Sequence, residues 1–270
     1  MDVIIEQYLD LDIISDNFSV VLDGFWQTVL LSIIAGALSL IWGLILALLR
    51  QLPGKPLAPV RAVAIGYIDV FRGIPLLLVL LLISGGLGAF ASPVGGDVIP
   101  DWLGHPTWLG ETAPFWYGVF GLTITYGAYM AEVYRAGIEA VPGGQMEAAR
   151  SLGMNHGQSM RYVIVPQAVS KVIPPLLNDF IALMKDTSLV SVLGAVEVVQ
   201  AGRDVQSNTF NGSGLVFGAI LFLIVTIPLA RLVDMLIARE QRRTQRGRRP
   251  GGGEPSILTS PTGAPAGGPV

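Results

Sequence analysis

The chain has 270 residues, of which 51% are hydrophobic and 14% are charged, with a net charge of −3 and no Cys. The missing Cys exclude a disulfide scaffold, a thiolate metal site and a cysteine nucleophile, and two isolated His residues do not predict a zinc site. Several apolar runs approach the roughly 20 residues that cross a bilayer, which is longer than the apolar runs of soluble domains. The composition therefore predicts an all-α integral membrane protein.

Five apolar segments are long enough to act as membrane spans. They lie near residues 25–49, 74–90, 115–137, 174–199 and 214–237. Arg and Lys residues flank one set of segment ends, whereas the opposite set contains only Arg203. Because short loops rich in Lys and Arg stay in the cytoplasm, we expect the N-terminus outside the cell and the C-terminus inside.

The spans divide the chain into three parts. Residues 1–24 form an acidic segment that we expect outside, residues 25–239 form the membrane domain, and residues 240–270 form a cytoplasmic tail. The tail begins with a basic patch, which favours contact with anionic membrane lipid. From Pro250 onward it is rich in Gly and Pro and has too little apolar surface to fold, so we expect it to be disordered.

Two segments beside the spans have an interfacial character. Pro56–Arg72 is less apolar than a span and predicts an amphipathic cytoplasmic helix. Trp102, Trp108 and Trp116 lie in or next to an external loop rich in Gly and Pro. Amphipathic rings of this kind favour headgroup depth, so we interpret them as an interfacial belt.

The cytoplasmic loop near residues 138–170 has the strongest local pattern. Gln145–Leu152 contains good helix formers and is followed by Gly153, which suits the left-handed conformation that ends helices. Asn155 and Gln158 have the spacing of a capping box, which opens a second helix that we expect to end before Pro166. The loop therefore predicts a short helix–turn–helix with a small-residue surface, a shape that suits a groove on a partner protein.

This loop resembles the EAA loop of ABC importer permeases. In that pattern Glu-Ala-Ala is followed after three residues by Gly, and after nine more by Ile-x-Leu-Pro. The matching residues here are Glu147, Ala148, Ala149, Gly153 and Pro166, while Val163 and Val165 replace the Ile and Leu. Three further segments are similar to the polar amino acid branch of the same family, namely Phe71–Leu76, Gly127–Glu132 and Lys185–Leu189. The resemblance covers about Leu22 to Arg239.

The resemblance implies a type I ABC importer permease fold with five transmembrane helices and a pore-forming chain that is not an enzyme. The EAA residues would form coupling helices that dock on cytoplasmic ATP-binding subunits. Those subunits would hold ATP and Mg, so no cofactor is expected on this chain. The other implied partners are an extracytoplasmic amino-acid-binding protein and a second permease chain, identical or related, in a bacterial inner membrane. The implied function is import of a polar amino acid by alternating access, with glutamate, glutamine, arginine and histidine left open.

Polar residues within the predicted spans are candidates for the substrate pathway. A charge at bilayer depth costs about 2.5–3.5 kcal/mol and therefore usually faces a cavity or a partner. The candidates are Lys185, Asp186, Thr187, Ser188, Glu132 and Asn178. Lys185 and Asp186 lie near the middle of the predicted fourth span and suit the charged groups of a zwitterionic substrate. The alternatives for these two residues are an ion pair between helices and a kink in the span.

Two charge pairs have the i, i+3 spacing of neighbours on a helix surface. Glu132 and Arg135 lie near the cytoplasmic end of the third span, and Asp69 and Arg72 precede the second. We interpret both mainly as structural or gating pairs. The alternative that Glu132 lines the pathway stays open.

The energy source separates the competing functions. The chain has no G-x-x-x-x-G-K-[ST] phosphate loop, so energy has to come from a partner or from a gradient. The main alternative is therefore a gradient-driven secondary amino acid transporter, a class that often shows two inverted halves. No nucleophile–base or metal constellation favours an enzyme. The predicted helix–turn–helix has no dense basic surface, so no nucleic acid partner is expected.

Overall fold

The computed structural model describes residues 6–91 and 98–247, with side chains up to residue 239. Within these ranges the chain is a bundle of helices joined by short turns. The tail from residue 248 onward, where we predict disorder, lies outside the described residues.

The first two helices cover the N-terminal part of the bundle. Helix α1, Leu11–Asp16, is capped by Asp10, whose Oδ1 accepts hydrogen bonds from the backbone N–H groups of Asp12 and Ile13 at 3.0 and 3.3 Å. Helix α2, Phe18–Arg50, contains the predicted span 25–49. It begins earlier than predicted because Asp23 interrupts the apolar run but not the helix.

The next two helices meet at a sharp bend. Helix α3, Ala58–Gly73, confirms the amphipathic helix predicted over Pro56–Arg72, and helix α4, Leu76–Phe90, contains nearly all of the predicted span 74–90. Their axes differ by 109°. Pro75 explains the break, because a proline forces the residue before it out of the helical region, and Ile74 is extended with ψ of 132°.

The external-loop residues lead into the central helix of the bundle. Helix α5, Asp101–Gly104, and a 3₁₀ turn, Trp108–Gly110, precede helix α6, Ala113–Glu139, which contains the predicted span 115–137. Trp116 is 6% exposed, and its indole N–H donates to the carbonyl of Trp108 at 3.0 Å. The prediction of an interfacial belt is therefore wrong for Trp116, which belongs to the packed core.

The loop predicted as a helix–turn–helix is confirmed as two helices. Helix α7 is Gly143–Ser151 and helix α8 is His156–Ser159. Gly153 has φ of 85°, and the N–H groups of Gly153 and Met154 donate to the carbonyls of Arg150 and Ala149, which is a Schellman ending. The capping box of Asn155 and Gln158 is also present.

Two predicted boundaries in the following segment are wrong. The helical backbone does not stop before Pro166: helix α8 ends at Ser159, but a π-helical turn, Met160–Ile164, joins it without a break to helix α9, Val165–Asp186. Pro166 is accommodated as the second residue of α9, where its missing N–H does not break a regular helical bond.

The predicted span 174–199 is also not a single helix. Helix α9 ends at Asp186, and a 3₁₀ segment, Thr187–Leu193, follows and ends at Gly194 with φ of 86°. Helix α10, Val198–Thr209, is separate. The apolar run hides this ending, since hydropathy does not distinguish an α-helix from a 3₁₀ segment. Lys185 and Asp186 therefore lie at the end of a helix and not in the middle of one.

The last helix, α11, covers Ser213–Gly247. It contains the predicted span 214–237 and continues into the first residues of the predicted tail. Among the described residues, two helices are long and apolar enough to cross a membrane alone, α2 and the Ser213–Arg239 part of α11, and the bent pair α3–α4 adds a third if it counts as one span. Helices α6 and α9 do not meet that criterion, because both carry more polar residues.

Close helix contacts hold the centre of the bundle together. Helix α6 packs against α2, α3, α4 and α9. Gly43 of α2 lies directly against the backbone of α6, and Gly127 of α6 lies against the Trp42 ring. Small residues let helix backbones approach closely, which strengthens the van der Waals packing between membrane helices. This arrangement places both the helical hairpin α7–α8 and the end of α9 next to α6.

Candidate functional site

The hairpin α7–α8 exposes some, but not all, of the residues predicted to contact a partner protein. Glu147, Ala148 and Gly153 are exposed, whereas Ala149 is buried at 4% exposure. Leu152 is 82% exposed beside the turn at Gly153. The exposed surface of α7 and the following turn therefore carries Glu147, Arg150 and Leu152, while Ala149 packs inward instead of joining the small-residue surface.

An apolar cluster connects this hairpin to two helices of the bundle. It joins the end of α6, helix α7, the π turn and the start of α9. Its buried members are Val141, Ile164 and Ala168, with Ile138, Met146, Met160 and Val163 packed around them. Close packing transmits displacement, so a force on the hairpin acts on both α6 and α9. Pro166, predicted as the last residue of the motif, is exposed in the first turn of α9.

One face of α9 is open. Asn178, Ala182 and Lys185 are exposed and follow one another at i, i+4 and i+7, which places them in one row along the helix. Among the described residues Lys185 has no hydrogen-bond or salt-bridge partner. An unpaired ammonium at the end of this row is free to bind a carboxylate.

Asp186 has a different environment from Lys185. Its Oδ2 accepts a hydrogen bond from the hydroxyl of Tyr126 on α6 at 2.8 Å, and Tyr126 is 5% exposed. The Tyr126 ring lies 5.8 Å from that of Tyr129, and the Arg72 guanidinium lies 5.9 Å from the Tyr129 ring centroid. Asp186 is therefore held against α6 by a tyrosine and not by the neighbouring Lys185.

The hydroxyl groups after Asp186 differ in availability. Thr187 is fully buried, and its Oγ1 donates to the carbonyl of Met184 at 2.7 Å. Ser188 is half-buried, and its carbonyl accepts from Ser191 Oγ at 2.7 Å. The Thr187 hydroxyl thus stabilises the transition from α-helix to 3₁₀ segment, and a ligand has to break that bond to reach it.

Glu132 belongs to an ion-pair cluster. It pairs with Arg135, as the i, i+3 spacing predicts, and Arg135 also pairs with Glu139. The second oxygen of Glu132 accepts from Arg50 of α2 at 2.7 Å. Both oxygens are therefore occupied. The other predicted pair, Asp69 and Arg72, forms no ion pair within the described part of the chain.

Asp179 is a polar residue that the sequence argument did not select for the pathway. Its Oδ2 is buried without a hydrogen-bond partner in the described structure, and it lines a cavity of about 400 Å³ together with Asn178 and Lys171. Its signal in the sequence was a carboxylate at predicted bilayer depth beside Asn178. Tyr126 gave no such signal, since a tyrosine in an apolar helix usually packs.

A second cavity, of about 780 Å³, lies near the N-terminal end of α2. Its polar lining includes Asp23, Gln27 and Glu111, and the Gln27 amide donates to Glu111 at 3.4 Å. No group of three or more His, Asp or Glu that could hold a metal ion occurs among the residues described.

These features define a helical membrane transport component with a helical hairpin on one face. The chain belongs to the family of binding-protein-dependent transport system inner membrane components, which matches residues 39–243.

Individual relatives support the same family. The probable glutamine ABC transporter permease protein GlnM of Bacillus subtilis is 35% identical over 235 residues, which is 87% of this chain and 99% of that protein. The glutamate transport system permease protein GluC of Corynebacterium efficiens is 36% identical over 212 residues, 77% of this chain and 88% of its own.

Solved structures agree with the fold. An amino acid ABC transporter crystallised with histidines has a TM-score of 0.71 and 35% identity, covering 85% of this chain and 96% of the other. The MetNI methionine ABC transporter in an inward-facing form has a TM-score of 0.59 at 19% identity, covering 85% of this chain and 97% of the other. That second likeness concerns the fold alone. This chain is thus a permease subunit with the architecture of ABC importers.

Proposed function

We propose that this chain is the permease subunit of an ATP-driven, binding-protein-dependent importer that moves a polar amino acid into the cytoplasm by alternating access. The observation that carries the proposal is the hairpin α7–α8, which exposes Glu147 on α7 and is joined by packed apolar residues to both α6 and α9. A secondary transporter has no use for such a hairpin. The relatives named as glutamine, glutamate, arginine and cystine permeases support an amino acid as the substrate.

The proposed membrane topology has five spans. These are α2, α4, α6, α9 and α11, with α3 lying along the cytoplasmic surface. Helix α4 has 15 residues, which is about 22 Å and shorter than the roughly 30 Å hydrocarbon core. The 109° bend before it fits a helix that turns into the membrane from the surface. The distribution of Lys and Arg supports a topology with the N-terminus outside and the C-terminus in the cytoplasm. The family description, an inner membrane component, supports the inner membrane of a bacterial cell as the location.

The partners follow from the same assignment. Two cytoplasmic ATP-binding subunits hold the ATP and Mg, and one of them docks on the hairpin of this chain through Glu147, Ala148 and Gly153. The buried Ala149 fixes the helix that carries Glu147 and Ala148. An extracytoplasmic binding protein delivers the amino acid. A second permease chain, identical or related, completes the pathway, and the exposed apolar side chains of α2 and α11 contact this chain or lipid.

The proposed pathway follows the open face of α9. Lys185 on this face binds the substrate carboxylate, with Asn178 further along the face. Asp186 and Ser188 lie beside it, Asp186 on the side of α6, and accept from the ammonium group of the substrate. Tyr126 orients Asp186 through their 2.8 Å hydrogen bond. Thr187 has a structural role in ending α9, and Glu132 is held in its ion-pair cluster away from the substrate.

Uptake into vesicles tests this function. The chain is co-expressed with its ATPase and binding protein, and uptake of a panel of labelled amino acids is compared with ATP inside or with an imposed ion gradient. We expect uptake that requires ATP and the binding protein. Uptake driven by the gradient alone contradicts the proposal and favours a secondary transporter.

A further inference from the structure

The ends of α2 and α6 are joined by a contact that the apolar packing does not provide. Towards one end of the bundle, Tyr134 of α6 donates to the Leu40 carbonyl of α2 at 3.3 Å, and the apolar cluster between the two helices contains Leu46 and Ala47 of α2 and Ala131 of α6. One residue later, Glu132 accepts from Arg50, the last residue of α2, at 2.7 Å. This salt bridge is half-buried, with side-chain exposures of 25% and 21%.

The salt bridge sits at the base of a short helical lever. Beyond Glu132, α6 continues to Glu139, about 10 Å at 1.5 Å per residue, and α7 begins at Gly143. Arg135 pairs with both Glu132 and Glu139, so a chain of charges runs along the last two turns of α6. Opposite charges at i, i+3 and i, i+4 stabilise the helix that carries them. These turns are therefore stiffened between the hairpin and the point where Arg50 attaches.

The cluster also avoids an unpaired charge. It contains Arg50, Glu132, Arg135 and Glu139, two positive and two negative residues. Because Glu132 uses one oxygen for each arginine, loss of Arg50 leaves its carboxylate still paired with Arg135. A variant at Arg50 thus removes the link between helices and keeps the charge of Glu132 compensated.

We propose that Arg50 is a positioning residue for energy coupling, which makes the ends of α2 and α6 move as one body when the hairpin is displaced. The inference rests on the proposed function and names the route by which motion of the hairpin reaches α2. Without Arg50, the end of α6 bends away from α2, and the displacement is absorbed there. Tyr134 contacts α2 at Leu40, well before its end, so the Arg50–Glu132 salt bridge holds α6 to the last residue of α2.

The test measures how many ATP molecules are hydrolysed per amino acid imported by the complete transporter in vesicles. Energetic couplings between protein sites typically amount to about 5–150-fold, so Arg50→Ala should raise this ratio about fivefold or more. ATPase association and basal hydrolysis should stay unchanged, and Arg50→Lys should restore part of the coupling. Arg231→Ala is the control, because Arg231 pairs with Asp234 within α11 and is not part of the contact between α2 and α6.

A distance measurement tests whether the Arg50–Glu132 salt bridge holds the ends of α2 and α6 together in every state of the transporter or in one state only. The chain has no Cys, so spin labels can be attached at Leu48→Cys on α2 and Ala136→Cys on α6, both of which are exposed. We expect one narrow distance distribution without nucleotide and in the ATP-trapped state, and a shift between the states once Arg50→Ala is added. A shift with Arg50 in place overturns the proposal, as does equal coupling in Arg50→Ala and Arg231→Ala. Failure of the native protein to use ATP at all would instead contradict the proposed function.

Discussion

Gly43 provides the sharpest test of the α2–α6 contact. A Cβ atom at this position would lie 2.8 Å from the Met130 Cβ, 2.9 Å from the Gly127 carbonyl oxygen and 3.1 Å from the Ala131 nitrogen. Two of these three atoms are backbone and cannot rotate away, so α2 and α6 have to separate. Overpacking of this kind typically costs about 1–3 kcal/mol.

Gly66 of α3 is the matched control. A Cβ at Gly66 meets nothing within 4 Å. Both glycines lie within helices, so each Gly→Ala change gains the same helix propensity, about 1 kcal/mol, and their difference isolates the clash. Gly43→Ala should therefore be about 1–3 kcal/mol less stable than Gly66→Ala, a gap of several degrees in melting temperature at roughly 2–4 °C per kcal/mol.

The assay is thermal unfolding of the purified chain in detergent, followed by loss of a single size-exclusion peak after heating. Equal melting temperatures for Gly43→Ala and Gly66→Ala would refute the close approach of α2 and α6. That result would also remove the basis for treating the two helices as one body, since the packing and the Arg50 salt bridge act on the same pair.

Three further changes test the hairpin and the end of α9. Glu147→Ala should weaken association of the ATP-binding subunits in a pull-down and lower uptake together, whereas Gln145→Ala on the same helix should change neither. Tyr126→Phe removes the only hydrogen bond described for the Asp186 side chain. Hydrogen bonds to charged groups are worth about 1.5–3 kcal/mol, so the KM for uptake should rise about tenfold or more. An unchanged KM would exclude Asp186 from the pathway. Gly153→Val forces a β-branched residue into φ of 85°, which costs about 1–3 kcal/mol and should abolish coupling in uptake assays, while Gly144→Ala, with open space around it, serves as the tolerated variant.

Local sequence signals predicted the hairpin well. Gly153 and the Asn155–Gln158 pair determine helix ends through contacts within a few residues, so their pattern was sufficient to place the turn. The long apolar runs likewise predicted α2 and α11. In each case the information lies in one continuous stretch of chain.

The contacts that shape the candidate site could not be predicted from local sequence signals. Arg50 and Glu132 are 82 residues apart, and Tyr126 and Asp186 are 60 apart. Neither pair has a spacing rule, because their proximity depends on how α2 and α9 pack on α6. The end of α9 was missed for another reason. Residues 189–199 are mostly apolar despite Ser191 and Glu197, and hydropathy carries no information on where an α-helix becomes a 3₁₀ segment.

The position of that ending favours a transport role for the residues beside it. Irregular backbone at membrane depth is tolerated only where it is buried in protein or lines a water-filled cavity, because lipid cannot satisfy its polar groups. Thr187 and Ser191 satisfy part of the break internally by donating to Met184 and Ser188. Lys185 and Gly194, by contrast, are exposed at either side of it. An exposed ammonium next to a broken helix is poorly suited to lipid and well suited to a hydrated pathway, which is the arrangement that transporters use at their binding sites.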